Sequence, residues 1–199
     1  MKNTFIVSCP IDTYSGYGAR ARDFIKSLVE INKYDVKILS QRWGNTTRGF
    51  IKDNKEEWGF LEKLIVPGLQ EKPDYWCQIT VPNEFQSVGK YNIGLTAGIE
   101  TTNCDIEWIK GCNRMDLILT SSEHSKSTFV NSQFQNESNK DDIIRLKKPI
   151  EVLFEGGNLD IYKIIKKFNN KELYNQIDLI EEDFAYLNVG HWMQGSFGH

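Results

Sequence analysis

A strand, a glycine-containing loop, an amphipathic helix and a second strand follow one another within the first 40 residues. Residues 4–8 form a short apolar run that ends before Pro10, and residues 35–40 form a second run. Apolar residues recur after Gly18 at the spacing of one helix face: Ala21, Phe24, Ile25, Leu28 and Val29. Such a unit predicts two parallel strands joined by a crossover helix.

The rest of the chain repeats this alternation. We predict further strands over residues 76–81, 92–97, 116–120 and 150–154. Predicted helices lie between them, over residues 57–64 and 104–112 and after an N-cap at Ser122. The order predicts an α/β fold, a parallel sheet flanked by helices.

Three segments stand apart from this alternation. Residues 131–148 are polar and are predicted to form a loop or excursion on the surface. Residues 160–183 have the pattern of a highly charged helix, and residues 184–189 that of a last strand. Because a glycine turn but no helix follows that strand, it is typical of the start of an unfinished βα unit.

Composition excludes several functional classes. The 199 residues include 24 Lys+Arg and 27 Asp+Glu, a net charge of −3, which argues against binding nucleic acid by bulk electrostatics. No apolar run is long enough for a transmembrane segment, and the N-terminus lacks the pattern of a secretory signal. The four cysteines show no CxxC spacing and do not pair with histidines. We therefore expect a cytoplasmic protein with reduced, mostly buried thiols and no metal site.

The first candidate site is the loop that leads into the first helix. Gly16 and Gly18 would let the backbone approach a ligand, and a helix N-terminus favours an anion. The spacing resembles a dinucleotide fingerprint, but residues 40–42 lack the acidic residue that a ribose needs. Glycines that simply permit a tight turn are an equally good interpretation.

Carboxylates that follow predicted strands form the second candidate. Glu100 comes after the strand at 92–97, and Glu84 after the strand at 76–81. Since ligands of open α/β sheets bind beyond the carboxyl ends of the strands, both are placed for substrate contacts. The alternative is helix entry, with Thr102 as the cap and Asp105 in the first turn.

The segment 121–126 is the third candidate. Ser122 fits a helix cap, and His124 in the polar first turn is more often a surface residue than a catalyst. No serine lies in a Gly-x-Ser-x-Gly elbow, so no Ser/His/Asp set can be assigned. The five tryptophans are expected mainly in the core, although some could line a groove where sugars stack.

Several segments together resemble the N-terminal half of GT-B glycosyltransferases of the group-1 class. They are the loop Gly16-Tyr17-Gly18, the strand and helix start at 116–126, the segment 152–158, and the strand at 184–190. Residues 82–86, 98–102 and 191–195 are similar to glycosyltransferases often encoded by tailed bacteriophages. The order of these motifs is more specific than any one of them.

The resemblance implies two Rossmann-like domains, of which the first holds a carbohydrate acceptor and the second a nucleotide-sugar donor. It implies an acceptor-side domain over residues 1–158, a charged helical linker over 159–183, and the first strand of a truncated donor domain over 184–199. The missing donor domain makes us expect poor binding of nucleotide-sugar and little transfer by the chain alone. The resemblance implies no cofactor and no bound metal, with the nucleotide-sugar as a substrate.

The resemblance also implies roles for individual residues. Glu100 is the expected catalytic residue at the floor of the cleft. Residues expected to contact the donor phosphates, the acceptor or the donor-side loop are Gly16, Tyr17, Gly18, Glu84, Thr101, Thr102, His124, Glu155, Gly190 and Gly195. Two other functions remain open: a non-catalytic Rossmann-like module that binds a sugar or nucleotide, and a nicotinamide-dependent oxidoreductase that uses Gly16 and Gly18.

Overall fold

The computed structural model describes residues 2–136, 139–157, 159, 162–164 and 169–186. The chain divides into two compact units, Met1–Gly156 and Gly157–His199. The strands are β1 Thr4–Cys9, β2 Asp35–Ser40, β3 Tyr75–Ile79, β4 Tyr91–Leu95, β5 Leu117–Thr120, β6 Gln133–Asn136, β7 Asn139–Arg145 and β8 Ile150–Val152. The helices are α1 Gly16–Ile31, α2 Phe50–Asp53, α3 Lys55–Trp58, α4 Ile106–Cys112, α5 Glu123–Asn131 and α6 Lys171–Ile177, with 3₁₀ helices at Gly59–Leu64 and Pro82–Glu84.

Six strands of the first unit form one sheet in the order β2-β1-β3-β4-β5-β8, and every neighbouring pair is parallel. This confirms the predicted α/β class, a Rossmann-like parallel sheet flanked by helices. The six predicted strands that correspond to this sheet agree with the observed ones to within two residues at each end. Because the strand order changes direction between β1 and β3, loops from both halves of the sheet meet at its carboxyl edge.

Apolar side chains cover both faces of the sheet. On one face α1 packs Ala21, Ile25 and Leu28 into a core with residues of β1 to β4. On the other face Ile109 of α4 and Phe129 of α5 join a second core. Burial on both faces accounts for the continuous apolar runs by which these parallel strands are recognised in the sequence.

Local capping sets the ends of the long helix. The Ser15 hydroxyl accepts a hydrogen bond from the Gly18 amide at 2.9 Å, which satisfies one of the free donors of the first turn of α1. At the other end Asn32 adopts a left-handed conformation, with φ of 53°, and donates its amide to Val29 O. Asparagine tolerates this conformation better than most residues, so the helix stops there.

Residues 131–148, predicted as a loop or excursion on the surface, contain two paired strands, so the loop alternative is wrong. β6 and β7 pair antiparallel, with Phe134 opposite Ile144. Phe134, Ile144 and Leu146 pack against the second core cluster, whereas Ile143 is 50% exposed. Three of the four apolar residues of this segment are therefore used in packing, and contacts with distant residues stabilise the strand pair despite its polar sequence.

The four cysteines are free and buried, as expected from their surroundings in the sequence. Desolvation raises the pKa of the Cys112 thiol to about 12. No helix in the described part of the chain combines the length and apolarity needed to cross a membrane.

In the second unit, the prediction of a helix over 160–183 is largely wrong. The described residues contain only α6, capped by the Asn170 side chain, which accepts from Leu173 N at 3.1 Å. None of the residues of α6 is buried, and a helix without a buried face gains little from tertiary packing, so it stays short. Of the predicted strand at 184–189, residues 184–186 are not in a strand, and the others lie outside the described residues.

Candidate functional site

Tyr17 links two loops at the carboxyl edge of the sheet. It lies in the first turn of α1, and its hydroxyl is 3.0 Å from Thr96 Oγ1, directly after β4. The same hydroxyl accepts a hydrogen bond from the Ala97 amide at 3.2 Å. The loop after β1 and the loop after β4 are thereby joined across the intervening strand β3.

The Tyr17 hydroxyl is partly buried in these contacts. Burial raises the pKa of Tyr17, its hydrogen bonds with Thr96 and Ala97 act in the opposite direction, and the charges of Glu100 and Glu155 raise it a little further. Tyr17 thus contacts the loop that leads from β4 to Glu100, and Glu155, after β8, pairs with Arg20 of α1. The resemblance singles out Tyr17, Glu100 and Glu155, but it does not predict the bond between Tyr17 and the loop after β4.

Beside Glu100 lies an open cleft of about 410 Å³. Its lining consists of Ala97, Ile99, Glu100, Ser121, Ser122, His124 and Ser125. The lining offers a carboxylate, three hydroxyls and an imidazole, and among these residues there is no lysine or arginine. The volume falls within the range of small-molecule sites in proteins, about 300–1,000 Å³.

Side chains of α5 and the residue after it hold the main chain of the loop that carries Glu100. The Ser125 hydroxyl accepts from Ile99 N and donates to Ile99 O, both at 3.3 Å. His124 Nε2 lies 3.1 Å from Glu100 O. Further along, Thr128 Oγ1 donates to Thr101 O at 3.0 Å, and Ser132 Oγ accepts from Cys104 N at 3.1 Å. We call His124, Ser125, Thr128 and Ser132 the α5 polar face.

Gly98 lets the loop pass directly over this face. Its φ is +90°, a conformation that residues with a side chain rarely adopt. A Cβ there would lie 2.8 Å from Thr120 Oγ1 and still closer to the Cβ and Oγ of Ser125. Glycine at 98 is thus a condition for the close contact between the loop and Ser125.

The two glycines of the first loop have different surroundings. Gly18 is buried, and a Cβ there would lie 2.5 Å from Thr13 O, so this glycine allows close packing of the loop. Its amide is bonded to Ser15 Oγ and is not free for a ligand. Gly16 is exposed, and a Cβ added to it would have no other atom within 4 Å. For Gly18 the geometry favours the tight-turn alternative.

The remaining candidates have individual partners or are open to solvent. The Thr80 hydroxyl donates to Glu84 Oε2, and Glu155 Oε1 is 3.7 Å from Arg20 Nε. Thr101 Oγ1 donates to Asn103 O at 2.7 Å, and Thr102 is exposed. The helix-entry alternative for Thr102 is wrong, because Asp105 is the N-cap of α4. Gly190 and Gly195 lie outside the described residues.

Sequence reasoning missed Arg20 and Trp43. Arg20 donates to the carbonyl oxygens of Leu153 and Phe154, which ties α1 to the segment that carries Glu155. Trp43, from the loop after β2, stacks on Tyr17 with ring centroids 4.2 Å apart. Neither contact has a local sequence signal.

Of the α5 polar face, His124 and Ser125 lie in the third candidate segment, whereas Thr128 and Ser132 were missed, although they do have a signal. Three hydroxyl residues recur at 125, 128 and 132, the spacing of one helix face. Ser122, in contrast, is the predicted N-cap, and its Oγ accepts from Ser125 N at 3.1 Å. No group of three or more His, Cys, Asp or Glu side chains that could hold a metal ion occurs within the described ranges.

The sheet and its loop-bearing carboxyl edge define an α/β protein with a Rossmann-like arrangement. In such sheets ligands bind in the crevice beyond the carboxyl ends of the strands, which is where the cleft lies. No family model, curated protein or solved structure matches this chain. Because the architecture hosts many unrelated functions, the function has to be argued from the residues at this edge.

Proposed function

We propose that this chain is the acceptor-side part of a glycosyltransferase and that it binds a carbohydrate hydroxyl in the cleft beside Glu100. The observation that carries the proposal is the lining of the cleft. It combines one carboxylate with the hydroxyls of Ser121, Ser122 and Ser125 and the imidazole of His124. Glu100 and the hydroxyls of Ser121 and Ser122 can form hydrogen bonds with a ligand that has several hydroxyl groups, whereas Ser125 and His124 already bond the main chain of the Glu100 loop.

The charge of the cleft favours a sugar over a diphosphate. At about 5 Å, two like charges repel by about 3 kcal/mol in an environment with an effective dielectric constant of about 20. A diphosphate beside Glu100 would meet this repulsion without a lysine or arginine in the lining to offset it. A neutral acceptor avoids that cost, which is why the donor phosphates are not placed in this cleft.

Aromatic surface at the same edge of the sheet supports the same ligand class. The stacked rings of Tyr17 and Trp43 lie at the same edge, and both residues are partly exposed. Sugar rings present apolar C–H faces that pack on aromatic rings, while their hydroxyls form hydrogen bonds at the margin.

Glu100 would bind the acceptor hydroxyl as a hydrogen-bond acceptor. In the transfer, the bond between the anomeric carbon and the diphosphate breaks, and a bond from the acceptor oxygen to that carbon forms. The diphosphate leaves with the electron pair, and the hydroxyl proton passes to a carboxylate oxygen of Glu100. Holding the hydroxyl in place is the main contribution expected of this part of the protein.

The proposal is tested by titrating the full chain with neutral oligosaccharides, UDP and GDP in a calorimeter. We expect oligosaccharide binding that Glu100→Gln weakens about 10- to 100-fold, the range expected for a hydrogen bond to a charged group. Glu71→Gln is the control, because Glu71 lies in the segment before β3 and outside the cleft. Nucleotide binding that exceeds glycan binding, or unchanged glycan affinity in Glu100→Gln, contradicts the proposal.

A further inference from the structure

We infer that the α5 polar face positions Glu100, so that the acceptor site is already formed before a ligand binds. Because Glu100 is the proposed acceptor-binding carboxylate, this role rests on the proposed function. The positioning residues are His124 and Ser125, which contact the main chain of the loop at Glu100 and at the residue before it. Thr128 and Ser132 extend the attachment toward α4.

The contacts follow the loop residue by residue. Ser125 bonds both the amide and the carbonyl of Ile99, His124 bonds the carbonyl of Glu100, and Thr128 bonds the carbonyl of Thr101. Four consecutive peptide units, from 98–99 to 101–102, are thereby held by a rigid helix. Because the peptide units before and after Glu100 are both held, the backbone at Glu100 is fixed. Only the side-chain rotamers of Glu100 can then change the position of its carboxylate.

The helix itself is held firmly at this point. Ser125 and Thr128 are buried, and Phe129, on the same turn, is fully enclosed in the second core cluster. The Ser125 hydroxyl also accepts a hydrogen bond from the Ser122 hydroxyl at 3.2 Å. Since Ser125 is fixed by the core and by the N-cap, the loop takes its position from α5 and not the reverse.

His124 is the one exposed residue of the α5 polar face. It lines the cleft while its Nε2 contacts Glu100 O. Since a carbonyl oxygen can only accept, Nε2 must carry the proton in this contact. Gln can replace this Nε2–H donor, and Leu cannot.

The first test measures the loop in the free protein. Amide exchange by NMR reports the Ile99 N–H, which donates to Ser125 Oγ. Ser125→Ala is expected to speed exchange of the Ile99 amide about fivefold or more, as loss of one hydrogen bond of about 1 kcal/mol allows. Ser127→Ala, on the exposed side of α5, is the matched control and should leave this amide unchanged. Unaltered exchange in Ser125→Ala overturns the inference.

The second test separates positioning from general stability by a double-mutant cycle on oligosaccharide affinity. Ser125→Ala should weaken binding about tenfold when Glu100 is present and less than about threefold in the Glu100→Gln background. His124→Leu should behave in the same way, and His124→Gln should restore most of the affinity. Equal losses in both backgrounds contradict positioning. If the wild-type chain binds no oligosaccharide, the proposed function fails, and Ile99 exchange alone decides whether α5 orders the loop.

Discussion

Replacing Gly98 with alanine should destabilise the protein more than any ordinary Gly→Ala change at an exposed position. The added methyl group would lie 2.8 Å from Thr120 Oγ1 and closer still to the side chain of Ser125. Both neighbours are buried, at 1% and 4% exposure, so neither can move aside without disturbing the core. The backbone at 98 also has a φ of +90°.

Two costs contribute to the expected loss. A residue with a side chain in a sparsely populated left-handed conformation costs about 1–3 kcal/mol. Forcing a methyl group into a packed interior costs about 1–3 kcal/mol more. Together they predict that Gly98→Ala lowers the free energy of unfolding by about 2–6 kcal/mol, a large share of the roughly 5–15 kcal/mol typical of a domain.

Urea unfolding followed by tryptophan fluorescence measures this loss as a shift in the midpoint at constant slope. Gly156→Ala is the control, because nothing lies within 4 Å of an added Cβ and its φ is not positive, and we expect a change within about 0.5 kcal/mol. Ser125→Gly combined with Gly98→Ala should cost less than the sum of the two single changes, since it removes the nearest obstacle. A loss below about 1 kcal/mol in Gly98→Ala would refute the reasoning.

Three further predictions concern other contacts. Tyr17→Phe removes the hydroxyl that bonds Thr96 and Ala97 and should cost about 1 kcal/mol in urea unfolding; an unchanged midpoint would contradict this. Burial opposes ionisation of Asp116, but hydrogen bonds from Asn92 and the charge of Lys148 together outweigh it and lower the pKa of Asp116. Its stabilising contribution is therefore complete above about pH 4 and is lost as the pH falls through the lowered value. Asp116→Asn should reduce the slope of the free energy of unfolding against pH in that acid range. An unaltered slope would show that Asp116 does not contribute this stability. Because burial raises the pKa of all four thiols, a thiol reagent at pH 8 should label them only after unfolding; rapid labelling of the native chain would show that they are accessible.

The cleft could be predicted from the sequence only in outline. A carboxylate after a central strand predicts a ligand-facing position, and Glu100 lines the cleft accordingly. The glycine pattern is compatible with either a phosphate contact or a tight turn at Gly18, and the structure shows its amide bonded to Ser15 and a close approach to Thr13. A glycine pattern shows where the backbone comes close to something, and the fold determines whether that is a ligand or another part of the chain.

The sequence by itself determined the order of the elements and the parallel sheet. Hydrophobic periodicity and capping residues such as Ser122 act over a few neighbours, so they can be recognised without knowing the rest of the structure. Only the tertiary structure decided that β6 and β7 pair, that Trp43 stacks on Tyr17, and that the α5 polar face holds the loop of Glu100. Those contacts join residues far apart in the chain, and their free energy comes from packing and hydrogen bonds that exist only once the sheet has brought the loops to one edge.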